Sequence, residues 1–268
     1  MSGVTGVLLN WKRPDNVARI VAGWRASGIV DEGIVWNNNP DVTLSLDGWA
    51  TVVNATRDLG LYTRFTAACL ARNECVLIQD DDILLPAESI ATLHEAWRSR
   101  PDILHGVFGR APNARGRYVV RDLIGADVPV VLTRALLTHR LHAARFFEFA
   151  AAFEALQRGG RPQGNGEDIL FSYAVMRHSG RLNRTHRVPV LELPSPDAIN
   201  ARHRRRHFAH RMQLMDACIA RLRGEASPSR PELAAALAYR DRAAGDLLEI
   251  AREALSIVWQ RGLRALRR

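Results

Sequence analysis

The sequence predicts an α/β protein with a mainly parallel sheet flanked by helices and a basic helical C-terminal extension. Three observations lead there. Over the first 110 residues, short apolar runs alternate with amphipathic segments of 10–15 residues, the signature of parallel strands joined by crossover helices. Hydrophobic residues make up 47% and charged residues 24%, which rules out a wholly disordered chain. The net charge of +9 is unevenly spread: residues 1–200 hold 22 Lys+Arg against 21 Asp+Glu, and residues 201–268 hold 15 against 7. The chain therefore divides into a neutral body, 1–200, and a basic extension, 201–268.

Taken in order, Gly6–Trp11 reads as a buried first strand. Pro14 opens a helix in which Val17, Ile20, Val21 and Trp24 recur at helical spacing, and Gly28 ends it. Gly33–Trp36 is a second strand closed by the turn residues Asn37–Pro40. A helix over about 60–72 turns Leu61, Phe65, Ala68 and Cys69 inward, and Cys75–Gln79 is a third strand ending in three aspartates. Pro86–Arg98 is helical and Ile103–Phe108 strand-like. In the middle, Val128–Leu132 is a strand, Arg145–Arg158 a helix, Gly159–Gly166 a loop and Glu167–His178 a helix. Val188–Leu193 is a last strand. Ser227–Pro231 links to a long helix, 232–267, with an apolar stripe through Leu237, Leu247, Leu255 and Val258.

Cys69, Cys75 and Cys218 are an odd set without a CxxC pair, so they read as reduced core thiols. No apolar run approaches the length of a membrane span, and MSGVTGVLLNWKRPD lacks the basic lead and apolar core of a signal peptide. The expected location is the cytoplasm.

Two acidic motifs carry the chemistry. Asp80-Asp81-Asp82 stands at the mouth of a buried strand, where three adjacent carboxylates call for a cation; on an extended backbone Asp80 and Asp82 share a side. Hard oxygen ligands favour Mn²⁺ or Mg²⁺, which would bridge a pyrophosphate at the C-terminal sheet edge. The plainer alternative is an acidic loop that caps the next helix. The second motif, Asn165-Gly166-Glu167-Asp168, sets two acids at a helix start. There they either complement the helix dipole or aim a carboxylate into a cleft.

These motifs sit in an ordered set: WKRPDN at 11–16, IVWNNN at 34–39, Asn54, Arg64-Phe65, DDDILL at 80–85, AWRSRPDILHGVFGR at 96–110, VPVVLTRALLTH at 128–139 and NGEDILFSYAV at 165–175. The set, over roughly residues 5–210, resembles the exostosin-type glycosyltransferases. The resemblance implies a GT-A fold and a metal-dependent retaining hexosyltransferase that uses Mn²⁺ or Mg²⁺ and a nucleotide-sugar donor, expected to be a UDP-sugar. It implies that Asp82 ligates the metal, with Asp80 beside it, and that Asp80 and Asp81 hold the ribose and order the site. Arg13, Asn37, Asn54 and Arg64 match the nucleotide pocket. Asp168, with Glu167, matches the carboxylate beside the anomeric carbon, and His203-Arg204 matches a pair closing over the diphosphate. Where the family has a small residue after its VLxG strand, this chain has Thr133-Arg134, which would reshape the acceptor side.

His203, His207 and His210 lie at helical spacing among arginines, which favours a phosphate-binding face or a solvated basic helix over a metal site. The last helix is basic on one side and apolar on the other, which suits homo-oligomer packing, an anionic membrane surface or nucleic acid. Two acceptors follow: a hydroxymethylated base in DNA, the first choice, and a cell-envelope lipid or glycan at the inner membrane face. A non-catalytic polyanion-binding protein on the same fold is the third reading.

Overall fold

A computed structural model of the chain describes residues 3–157, 164–195, 204–225 and 230–241. The elements run β1 (Val4–Asn10), α1 (Pro14–Ser27), β2 (Val30–Asn37), β3 (Ala50–Asn54), α2 (Thr63–Cys69), β4 (Cys75–Asp80), β5 (Ile83–Leu84), α3 (Ala87–Ser99), β6 (His105–Gly106) and β7 (Gly109–Arg110). They continue with β8 (Asp127–Val128), β9 (Val130–Val131), β10 (Ala135–His139), α4 (Arg140–Ala151), α5 (Glu154–Gln157), α6 (Glu167–Ser179), β11 (Asn183–Thr185), β12 (Leu191–Glu192), α7 (Arg204–Glu225) and α8 (Pro231–Leu237).

The main sheet has eight strands in the order β3-β2-β1-β4-β10-β6-β11-β8. β3, β2, β1 and β4 are parallel, β10 is antiparallel to both its neighbours, and β11 is parallel to β6. β1 lies between β2 and β4, so the chain leaves it in opposite directions, which opens a crevice at the C-terminal ends of these strands. The registers align Asn10 with Asn37 and Asn37 with Asn54, and pair Leu9 with Asp80, so four polar residues end four neighbouring strands at one edge.

Alternation along the strands sends side chains to two cores. Leu8, Leu77 and Leu137 pack with Val17, Ile20 and Trp24 of α1 and Leu93 and Trp97 of α3. Val7, Ile78 and Leu136 pack on the other face with Phe65 of α2, Phe146 of α4 and Phe171 of α6. The Phe65 ring is 4.0 Å from Phe146 and 4.6 Å from Phe171. Leu214, Met215, Cys218 and Leu222 of α7 and Leu233 of α8 belong to this second core, so residues beyond 200 pack into the body. Residues Glu167–Met176 of α6 are all buried, as befits a helix covered on every side.

Several expected elements differ. β3 and β10 were not expected as strands. The Val128–Leu132 run is split at Pro129, which offers no N–H to a ladder: β8 pairs with β11 and β9 with β7, in different sheets. Ile103–Phe108 supplies only the short β6, and Val188–Leu193 only β12, paired with β5. The helix expected over Arg145–Arg158 begins at Arg140, where His139 accepts the Leu141 N–H, and stops at Ala151. The long helix expected over 232–267 ends at Leu237: the chain turns so that the Asp241 N–H reaches the Pro112 carbonyl at 2.8 Å. Residues 242–268 lie outside the described residues. Cys75 and Cys218 are buried as expected, but Cys69, the last residue of α2, is exposed. Among the described residues no helix is long and apolar enough to cross a membrane.

Candidate active site

The aspartate turn is held by its neighbours. Gln79 reaches across it to donate to the Ile83 carbonyl at 2.8 Å and accepts the Trp24 indole N–H at 3.1 Å. Asn16 donates to the Asp81 carbonyl at 2.8 Å and the Pro194 carbonyl at 2.9 Å. The three carboxylates then part ways. Asp81 is buried and ion-paired with Arg13, and its side chain also accepts the Trp11 N–H at 3.4 Å. Burial pushes its pKa up to about 6 despite Arg13. The Asp80 and Asp82 side chains remain 33% and 23% exposed at the mouth of the crevice. Arg64 donates to Asp80 at 2.8 Å and Arg134 approaches Asp82 at 3.4 Å.

Arg64 connects the two acidic motifs. It is buried, pairs with Asp80, and lies 3.8 Å from Glu167 on α6. The Thr133 hydroxyl donates to Glu167 at 3.0 Å. Burial, opposed by Arg64 and reinforced by Asp168, pushes the Glu167 carboxyl up to about 7. Asp168 accepts its neighbour's Ile169 N–H at 2.8 Å and is ion-paired with Arg211 of α7. Arg211 also donates to the Tyr118 hydroxyl from Nε at 3.1 Å and Nη2 at 2.9 Å. The charged contacts thus run Arg134–Asp82, Asp80–Arg64–Glu167 and Asp168–Arg211, and buried Arg64 links the two acidic motifs.

Gly166 makes this placement possible. It caps α6 with φ of 87°, a conformation L side chains rarely adopt, and an added Cβ would stand 2.6 Å from Leu214 of α7. That close approach seats α7 on the start of α6 and carries Arg211 to Asp168.

Asn37 and Asn54 lie at the expected edge, but their amides hold the loop after β2. Asn37 accepts from Asn10 at 2.8 Å and donates to Asn54 at 2.9 Å and to the Val42 carbonyl at 2.6 Å. Asn54 brackets Leu44, accepting its N–H at 2.8 Å and donating to its carbonyl at 3.0 Å. His203 and the Arg204 side chain lie outside the described residues; Arg204 begins α7. Later on α7, His210 meets the Asn165 carbonyl at 3.2 Å, and burial near Arg211 lowers His207 to about 4. Arg211, Tyr118 and Asn10 were missed. Arg211 and Asn10 looked like members of an arginine run and a strand, and nothing local marks Tyr118.

Among the described residues no three His, Cys, Asp or Glu side chains converge on one point, so there is no all-protein metal cage. Asp80 and Asp82 do fit a hard cation that completes its shell with phosphate oxygens. Arg13 Nε, Trp36 Nε1 and Tyr62 Oη are buried without hydrogen-bond partners. A cavity lined by Arg145, Arg177, His178 and Arg230 lies at the other end of α6, away from this chemistry.

The glycosyl transferase family 64 domain matches residues 4–225 of the chain. Glucosamine inositolphosphorylceramide transferase 1 of Arabidopsis thaliana is 27% identical over 168 residues, 58% of this chain and 21% of the plant protein. The crystal structure of GalNAc-T7 with UDP, GalNAc and Mn²⁺ superposes with a TM-score of 0.50 at 13% identity, covering 74% of this chain and 45% of that one. The chain thus spans about a fifth of the plant protein and less than half of GalNAc-T7, and the structural likeness establishes a GT-A fold. With that fold, and with the family domain spanning both acidic motifs, the chain belongs to the glycosyl transferase family 64 domain family and is a glycosyltransferase.

Proposed function

We propose that this domain is a metal-dependent, retaining glycosyltransferase of the exostosin type that uses a UDP-sugar donor. The observation that carries the reading is the bridging of the aspartate turn and the Glu167-Asp168 pair by buried Arg64. In this reading Asp80 and Asp82 hold Mn²⁺ or Mg²⁺, which when bound neutralises the diphosphate. The donor's anomeric C–O bond breaks and its electron pair leaves with the diphosphate. The acceptor hydroxyl forms the new C–O bond and its proton passes to the departing phosphate oxygen. Arg211 offers a fixed positive charge to that developing negative charge, and Asp168 faces the cationic sugar carbon. Arg13 keeps Asp81 ionised as a scaffold for the turn.

Hydrolysis of UDP-sugars in the presence of Mn²⁺, with loss of turnover in Asp82→Asn, tests the reading. Anomeric configuration of the product by proton NMR tests retention. Binding of UDP without turnover by the wild-type chain would favour a non-catalytic polyanion-binding protein.

For the acceptor we propose a hydroxymethylated base in DNA, met in the cytoplasm, on the strength of the net charge of +8 over residues 201–268. A second reading, a membrane lipid or glycan, is favoured by the plant relative, whose name gives inositolphosphorylceramide as what it acts on. Sugar transfer to hydroxymethylated DNA or to lipid extract, read by mass spectrometry, decides between them.

A further inference from the structure

The helix that presents Glu167 and Asp168 to the crevice carries a second cluster of charge at its other end. A cavity of about 220 Å³ opens there on an apolar floor of Phe149 and Ala174. From Asp168 to His178 is ten residues of α6, about 15 Å at 1.5 Å per residue, so this cavity is not part of the crevice.

The charges around it do not balance. Arg177 of α6 engages both nearby carboxylates, donating from Nε to Glu225 of α7 at 2.6 Å and from Nη1 to Glu148 of α4 at 3.0 Å. The carbonyls of the helix end are also occupied. The Gly180 N–H takes that of Met176 at 2.8 Å, and Arg230, the N-cap of α8, takes that of Arg177 through Nη2. Arg145 of α4 is half-buried at the cavity, and among the described residues no hydrogen bond or ion pair reaches its guanidinium. Burial, with the charges of Arg145 and Arg230, lowers the pKa of His178 against a weaker opposing pull from Asp102, so its ring adds no charge at neutral pH. Three guanidiniums thus meet two carboxylates, both held by Arg177, and the charges of Arg145 and Arg230 are left uncompensated.

Size and charge together define what fits. Pockets for drug-sized ligands run to about 300–1,000 Å³, so this cavity suits a small ion rather than a nucleotide-sugar. Guanidiniums match the oxygens of a phosphate in both charge and donor geometry. A neutral imidazole at the mouth can supply one further N–H.

We propose that this cavity is a binding site for a small free phosphate-class anion, held between Arg145 and Arg230 with His178 beside it. The occupant braces α4 and α6 against the entry to α8. The site is separate from the transfer chemistry, and either reading can fail without the other.

The test titrates inorganic phosphate into the full chain by calorimetry at neutral pH without metal. The His178 ring resonance, assigned by its loss in His178→Gln, is followed by NMR over the same range. Wild type binds phosphate saturably, the His178 resonance moves along the same curve, and the midpoint of thermal unfolding rises with phosphate concentration. Arg145→Gln removes a group that holds no other part of the fold and weakens phosphate binding at least about tenfold. Arg145→Lys, which keeps the charge but loses the fork, falls between them. Affinity for Mg²⁺–UDP, titrated separately, stays within about twofold of wild type in both variants, since they leave the crevice untouched. Absence of saturable phosphate binding by wild type overturns the proposal. So does binding that Arg145→Gln leaves unchanged, or that does not move the His178 resonance, since the phosphate would then sit elsewhere. A parallel loss of Mg²⁺–UDP affinity in Arg145→Gln also overturns it, by tying Arg145 to the crevice. Circular dichroism of each variant excludes misfolding, and Arg145→Lys carries the comparison if Arg145→Gln does not fold.

Discussion

Glu167→Gln separates the electrostatics of the crevice from its packing. The Glu167 carboxyl titrates near 4.5 in an unfolded chain and is pushed up to about 7 in the folded protein, chiefly by burial. A raised carboxyl pKa means that the folded state holds the proton more tightly than the unfolded state. Below about pH 4.5 the group is neutral in both states and costs nothing. As pH rises towards 7 the unfolded chain ionises freely while the folded one resists, so stability falls. Above 7 the full cost is present, at most about 3 kcal/mol at about 1.4 kcal/mol per pH unit. Glutamine keeps the size and still accepts the Thr133 hydroxyl at that position. The difference in unfolding free energy between variant and wild type, from urea titrations at pH 4.5, 6 and 8, should therefore move in favour of the variant as pH rises. A difference that is flat with pH, or that moves the other way, would show that Arg64 and the surrounding dipoles compensate Glu167 fully and would refute the argument.

Three further outcomes follow from the packing. Arg211→Met leaves Asp168 buried without its cation; we expect about 3–5 kcal/mol loss of stability by denaturant unfolding. Donor hydrolysis in that variant should fall about 100–1,000-fold, and near-normal turnover would remove Arg211 from the site. Gly166→Ala forces a side chain into a φ of 87° and against Leu214. A loss of about 1–3 kcal/mol is expected, with donor hydrolysis impaired even where the variant is fully folded; wild-type turnover would detach the α6–α7 contact from function. Gly6→Ala sets a Cβ 2.6 Å from the Trp24 ring, and should cost about 1–3 kcal/mol in urea unfolding without altering Mg²⁺–UDP affinity in the folded protein.

Within the parallel half of the sheet β1 and β4 were readable because they are buried almost throughout, and α1 because it is punctuated, whereas the half-exposed β3 was not. Pro14 at the first turn and Gly28 at φ of 65° bracket α1 as their backbone preferences require. The antiparallel half was not. In VPVVLTRALLTH two short hydrophobic runs, either side of Thr133-Arg134, serve β8, β9 and β10 in two sheets, and only long-range pairing decides where each begins. The aspartate turn announced itself by the cost of three adjacent charges. How they divide, with Asp81 buried against Arg13 and its two neighbours left partly exposed, depends on α1 and the turn before it, which no local pattern encodes. Arg211 escaped notice because it is one arginine among many until α7 docks on α6.

That docking has a consequence for how the protein matures. The guanidinium that completes the crevice, and the apolar side chains of α7 that seat it, come from a stretch far downstream of the sheet they cover. A nascent chain that had emerged only as far as β12 would present an uncovered oily face on α6 and an Asp168 without its arginine partner. Prematurely terminated products should therefore be sticky and inert rather than partly active, and proteolytic trimming within α7 should eliminate the protein instead of tuning it.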